Sequence, residues 1–505
     1  MTAVAVAARR PALRAERSRG LRRIPAAGWV VALLTLLNAV GWGLIVPPFH
    51  VPDETAHAFY AQYLGETGEL PKPGADRAWY SEDELDVLFA QRFYEVVGES
   101  RNRMPAGPDA EAALDRAQAP GADRVGSGSA ATATTNPPLY YVPQALVYRV
   151  MHGADVTGRL AAMRIVSALM AALTALCVFL FLRELLPRSP LAWAVGGLAA
   201  GLQPMFAFIS SGVNNDAGLY LASAALFLAV ARVLRRGLTP GRAAAVGLLL
   251  ALGVLVKSQM VAFAPGVALA LAIAAWRLRA TAPPWRALAA AAGAALGPIA
   301  LYGALGATVW DRPLIDRVST VTSGAAAGAA KEWHWSEQLS YLWQLYLPRT
   351  PNLDDVIPAV PLYDMWFEGL VGRFGWLDYG FPEWVYPLAG GIWLIVAALA
   401  AARLWQLRAV VRRRWAELAV LAAMTAGLCV AIGTAAYQSY VNTGGEVFIQ
   451  ARYLLPLLPL YALVPALAVG ALGRRRAPVV AVLLIAGVLA HSLAAQLQTL
   501  VRFYG

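Results

Sequence analysis

Charge is what this sequence has least of. Of its 505 residues only 14% are Asp, Glu, Lys or Arg, while 58% are hydrophobic. A soluble globular chain carries about 25% charged residues, so a soluble multidomain protein is excluded. Cysteine is almost missing: Cys177 and Cys429 lie in separate apolar runs. That leaves no disulfide framework and no cysteine-rich metal site. The five histidines include no H-E-x-x-H spacing, which removes the zincin pattern. Phosphate-binding glycine loops, dinucleotide fingerprints and the G-x-S-x-G nucleophile elbow are missing too.

What the chain has is long apolar runs, and these make it a polytopic all-α membrane protein. The net charge of +11 comes mostly from arginines clustered between those runs. Such clusters suit cytoplasmic loops facing anionic lipid, not nucleic-acid binding. Residues 1–27 hold seven arginines and no apolar run, and read as a cytoplasmic basic tail. Residues 28–504 read as one transmembrane domain. Its predicted spans are 28–46, 160–182, 191–209, 217–232, 242–256, 261–276, 286–304, 385–404, 416–433, 453–471 and 478–498, about eleven. The first is too long for a signal-peptide core and reads as a retained span. The clusters around Arg183, Arg235, Arg277, Arg412 and Arg474 all face one side only if 138–150 does not cross. That segment is therefore read as a juxtamembrane or re-entrant helix.

The opposite, extracytoplasmic side then holds the loops 47–159 and 305–384, the turns 210–216 and 257–260, and the loop 434–452. The first loop carries a helix-spaced stretch at 79–96 and an Ala/Gly/Ser/Thr-rich segment at 104–135 that reads as flexible. The 305–384 loop carries Trp333, Trp335, Trp343, Trp366, Trp376 and Trp384. Tryptophan at that density fits an interfacial belt, and also stacking on a sugar.

Polar chemistry concentrates first in VPPFHVPDETAHAFYAQYL, residues 46–64. Asp53 and Glu54 follow Pro52 and fit a helix start, where acids favour the N-terminus. The functional alternative is a general base for an acceptor hydroxyl. His57 shares their helix face and is placed to orient Glu54 or to meet a phosphate. Asn214, Asn215 and Asp216 open a later span, either as caps or as a second acid beside the first. Lys257 lies outside the arginine clusters and asks for an anion, although snorkelling competes. Gln259 is its polar neighbour. Arg452, next to Tyr453, is the second exception, with Glu446 as the bland partner and phosphate as the functional one. Arg373 in GLVGRFGW, with Trp376, is a weaker candidate.

These features resemble the GT-C superfamily of membrane glycosyltransferases. The carriers are the acidic motif after the first span, the Pro-Pro-Leu-Tyr segment ending the first outer loop, and the acid at a later outer turn. Within it the chain is similar to a bacterial group bearing Pro-Asp-Glu-x-x-His, an Asn-Asp turn and a late Gly-Arg-Tyr-Leu-Pro-like segment. Here the last is Gln450-Ala451-Arg452-Tyr453-Leu454-Leu455-Pro456, with Ala451 in place of the glycine.

The resemblance implies a GT-C-like fold in a bacterial plasma membrane, with the N-terminus cytoplasmic and the active site outside. It implies a polyprenyl-phosphate sugar as donor, an envelope glycan, lipid or protein as acceptor, and inversion at the anomeric carbon. It places the base at Asp53 or Glu54. The rest of the site would be His57 beside the base, Lys257, Gln259, Arg452 and Tyr453 around the donor phosphate, and Asn215, Asp216, Arg373 and Trp376 supporting the acceptor. Relatives differ over a divalent metal, so that stays open, and no other cofactor is implied. A transporter or flippase of a lipid-linked or anionic solute is the alternative, since intramembrane charges mark such paths too. A non-catalytic envelope scaffold is the third.

Overall fold

The computed structural model describes residues 24–71, 81–118, 132–279, 281–310, 332–351, 353, 357, 362–443 and 449–505. Most of the basic tail, residues 119–131 of the Ala/Gly/Ser/Thr-rich segment, and Glu446 lie outside the described residues. The protein is all-α and polytopic. Nine described helices are long and apolar enough to cross a membrane, or ten if the bent pair Pro190–Gly201 and Pro204–Ser210 is one span. Every one of the eleven expected segments is helical, but two differ from a simple span. The pair is bent by 56°, because Pro204 opens a new helix capped by the Gln203 side chain. Pro240–Val256 has 17 residues, about 26 Å at 1.5 Å per residue, short of a hydrocarbon core of about 30 Å.

Val156–Leu185 and Asn215–Arg236 form the most enclosed part of the bundle, against each other and against Ala26–Ile45 and Pro190–Gly201. Trp285–Thr308, Val385–Gln406 and Ala477–Tyr504 keep most of their apolar surface outward, as bilayer contact requires. Pro240–Val256 packs tightly on Trp285–Thr308 because Gly247 has no side chain. A Cβ there would sit 2.1 Å from the Ala291 carbonyl oxygen.

The arginine clusters do converge on one end. Arg236 pairs with Glu184, Arg235 lies 3.8 Å from Glu417, and Arg414 donates to the Leu185 carbonyl. The helix Asn215–Arg236 runs 22 residues from its Asn-Asp start to that end, about 33 Å. The polar residues at its start are therefore one membrane thickness away from the arginines.

Two short helices pack together within the 47–159 segment. Glu54–Thr67 packs on Tyr141–Val150. The latter is ten residues long and buries Tyr141, Ala145 and Tyr148 while Val142, Leu146 and Val150 face out. This amphipathic helix is, at ten residues, too short to cross a bilayer. The 79–96 stretch is two helices, Glu82–Ala90 and Phe93–Val96, broken where Arg92 takes φ 52°. Val87, Leu88 and Phe93 are buried, and Phe89 is exposed. Of the six tryptophans, Trp335, Trp343, Trp376 and Trp384 are exposed, as a belt requires. Trp366 instead stacks on Tyr346 and donates to the Leu345 carbonyl.

Candidate active site

Pro47 and Pro48 end the first span, because proline cannot continue its hydrogen-bond ladder. The chain then turns tightly, with Phe49 at φ 67° and Asp53 at φ 62°. Aspartate tolerates the left-handed region better than most residues, yet a non-glycine residue there still costs about 1–3 kcal/mol. Two such residues within five positions require strong anchoring.

The anchor is Arg164. Its Nε and Nη2 donate to the two oxygens of Glu54 at 2.8 and 2.6 Å. Its remaining N–H groups reach the carbonyls of Gly43, Val46 and Pro47 at 2.7–2.8 Å. Glu54 also accepts from the Val213 N–H at 2.9 Å and is 0% exposed. The Asn214 amide donates to the Pro52 carbonyl at 2.9 Å, tying the second turn to the first. Gly212 completes the seam: a Cβ there would lie 2.6 Å from the Val51 Cβ. Gly212→Val is expected to lower stability by about 1–3 kcal/mol. It should also distort Asp53, two residues beyond Val51. A thermal melt equal to wild type would contradict this packing.

Asp53 occupies the N-cap position of Glu54–Thr67, but its side chain caps nothing. Its Oδ2 instead accepts from Arg452 Nη2 at 2.5 Å. Asn214 does cap its helix, accepting from the Asp216 N–H at 2.9 Å. Asp216 is left for other work: Oδ1 accepts from Lys257 Nζ, and Oδ2 lies 3.8 Å from Arg452 Nε. Four charges thus alternate in a row, Asp53, Arg452, Asp216 and Lys257. Arg452 is 5% exposed, and its Nε and Nη1 have no hydrogen-bond partner. Asp216 Oδ2 and both amide atoms of Asn215 are also buried without partners. The Asp53 side chain is 32% exposed and marks where the row opens. Gln259 donates to the Tyr453 carbonyl at 3.5 Å, and the Arg452 guanidinium lies 5.5 Å from the Tyr453 ring centre.

Burial pushes the Asp53 carboxyl up, but the charges of Arg452, His57 and Lys257 hold it below the usual carboxylate range. Burial lowers His57 to about 4, only partly opposed by Asp53 and Asp216. The ring is therefore neutral at pH 7, with Nδ1 2.7 Å from the Tyr141 hydroxyl. Among the described residues no group of three or more His, Cys, Asp or Glu is placed to hold a metal. Asp53 and Asp216 already face Arg452 and Lys257, so their charges are neutralised within the row.

Arg373 and Trp376 lie elsewhere, on the hairpin Arg373–Phe374/Tyr379–Gly380. Arg373 pairs with Glu368 and lines a separate polar cavity of about 440 Å³ with Asp364, Asp378 and Glu383. Sequence reasoning missed Arg164 and Tyr141. Arg164 had a signal, as a lone arginine inside the predicted 160–182 span.

Behind this loop lie two more buried titratable groups with opposed demands. Burial lowers His50 to about 3, and Glu84, both oxygens unpartnered, is raised well above the usual range by burial and by Asp83 and Glu54. The sign of the pH dependence follows. The two histidines bind protons in the unfolded chain at mildly acid pH but not in the fold, so their contribution to stability grows as pH rises from about 4 toward 6.5, while Glu84, which holds its proton more tightly in the fold than in the unfolded chain, works against that rise. Glu84→Gln should remove the opposing contribution and steepen the rise of stability with pH on the acid side. An unchanged profile in pH-dependent melts would contradict the protonated, buried Glu84.

A family model described as predicted membrane protein, DUF2142, matches residues 36–461. No curated protein matches the sequence. The backbone is similar to the crystal structure of ArnT from Cupriavidus metallidurans in the apo state. The TM-score is 0.49 at 13% identity, covering 95% of this chain and 76% of that one. It is also similar to the oligosaccharyltransferase of Archaeoglobus fulgidus in the apo form. There the TM-score is 0.41 at 14% identity, covering 94% of this chain and 55% of that one.

Proposed function

The chain belongs to the DUF2142 family of predicted membrane proteins, and from the geometry of its polar row we propose that it is a glycosyltransferase. It moves a sugar from a polyprenyl-phosphate donor to a hydroxyl of an envelope glycan, lipid or protein. The reaction takes place at the extracytoplasmic face of a bacterial plasma membrane, with the arginine-rich end in the cytoplasm. The observation that carries this is the pairing of Asp53 with Arg452 when its position offers a helix cap instead. A half-buried carboxylate beside a buried guanidinium with two unfilled nitrogens provides a base next to a phosphate site.

In the reaction Asp53 removes the acceptor O–H proton. The acceptor oxygen bonds to the anomeric carbon from the face opposite the phosphate, and the bond from that carbon to the phosphate oxygen breaks. The negative charge gathering on the phosphate is met by Arg452 and Lys257, and the configuration inverts. Asp216 sits between the two cations, hydrogen-bonded to Lys257 and 3.8 Å from Arg452. His57, neutral and bound to Tyr141, lines the site beside Asp53, while Gln259 and Tyr453 fix the backbone around Arg452. Glu54 positions the loop through Arg164. Asn215 faces the acceptor side with its unfilled amide, and Arg373 and Trp376 would touch only a long acceptor, from their separate cavity.

The test is purified protein in lipid, offered a panel of polyprenyl-phosphate sugars, with release of free polyprenyl phosphate as readout. Release with one donor is expected, and release with none, given a folded protein, would overturn the assignment. One observation favours a second reading. The 56° break at residues 202–203 is the kind of discontinuity transporters use. Labelled lipid equilibrating between leaflets without new glycan would select a flippase.

A further inference from the structure

The resting row is self-neutralised, two carboxylates against two cations. Asp53 donates its charge to the very guanidinium that the proposed function gives to the phosphate. A carboxylate whose hydrogen bond comes from an arginine at 2.5 Å is a poor proton acceptor. The geometry points to an exchange: an incoming phosphate monoester or diester displaces Asp53 from Arg452, and its arrival frees the base. This rests on the glycosyltransferase reading of the same site.

Three features make the exchange available. Arg452 Nη1 is buried without a hydrogen-bond partner, so a phosphate oxygen that reaches it gains a first hydrogen bond before the Asp53 contact breaks. Asp216 lies 3.8 Å from Nε and holds the guanidinium in place while Asp53 leaves. Asp53 is the less buried member of its pair, 32% against 5%, so the freed carboxylate turns toward water at a lower desolvation cost than the guanidinium would. The consequence is ordered binding. Donor enters first, and only then does a competent base face the acceptor, which guards against proton abstraction in an empty site.

The exchange predicts an outcome opposite to that of an ordinary binding residue. Removing Asp53 removes a competitor, so anion affinity should rise. Asp53→Asn and Asp53→Gly both suit φ 62°, so one can replace the other if either folds poorly. Binding of farnesyl phosphate and of inorganic phosphate to full-length protein in detergent would be measured by calorimetry. Farnesyl phosphate should bind both variants about tenfold more tightly than wild type, the size of one charge-assisted hydrogen bond. Equal or weaker binding by both variants would overturn the exchange, leaving Asp53 as a support for Arg452. Tightening for inorganic phosphate alone would keep the exchange but overturn the lipid-linked donor. Absence of binding to any form would overturn the phosphate site itself.

Discussion

Asp53→Asn removes sugar transfer while leaving a folded, monodisperse protein. The expected loss is about 10²–10⁴-fold, the range a positioned general base contributes. Asparagine preserves size and accepts the left-handed backbone that Asp53 adopts at φ 62°. It keeps a carbonyl oxygen near Arg452 only as a neutral, weaker partner, while the proton-accepting charge is lost. Helix stability should change little, because the Asp53 side chain caps no N–H group. Initial rates of polyprenyl phosphate release measure this directly. A variant with wild-type rates would remove Asp53 from the chemistry.

Glu54→Gln is expected to act through the fold instead. Glu54 is 0% exposed and its two oxygens take two arginine N–H groups and one backbone N–H. Removing its charge strands the Arg164 guanidinium inside the protein, which costs about 3–5 kcal/mol for a broken buried pair. The double variant Glu54→Gln with Arg164→Met removes both charges and should recover part of that loss. Thermal melts and a double-mutant cycle read both outcomes. If Glu54→Gln melted like wild type but lacked activity, the base would be Glu54, and its position beside Arg164 would have to change during the reaction.

The contrast between these neighbours shows what the sequence could and could not convey. Asp53 and Glu54 look equivalent as letters after Pro52, and helix capping explains both. Only the fold separates them: a one-residue step turns one carboxylate toward Arg164 in the core and the other toward Arg452 at the mouth. The apolar runs and the arginine clusters were legible, since burial in lipid and charge asymmetry act through composition. The helix Tyr141–Val150, too short for a span, was legible from the length of its apolar stretch. The break at Gln203 was not, because its cause is a side-chain cap beside a proline within an apolar stretch. Lys257 and Arg452 stood out as cations away from the arginine end. That each already holds an aspartate across long sequence separations, 41 and 399 residues, depends on packing no local pattern encodes.

The central claim is that Arg452 and Lys257 hold a donor phosphate beside Asp53. A structure of the protein with a non-cleavable polyprenyl phosphonate sugar tests it most directly. The account predicts the phosphonate oxygens within hydrogen-bond reach of Arg452 and Lys257. Asp53 would be released from Arg452 and turned toward the face of the anomeric carbon opposite the phosphonate. A bound analogue elsewhere, with the Asp53–Arg452 pair intact, would contradict it.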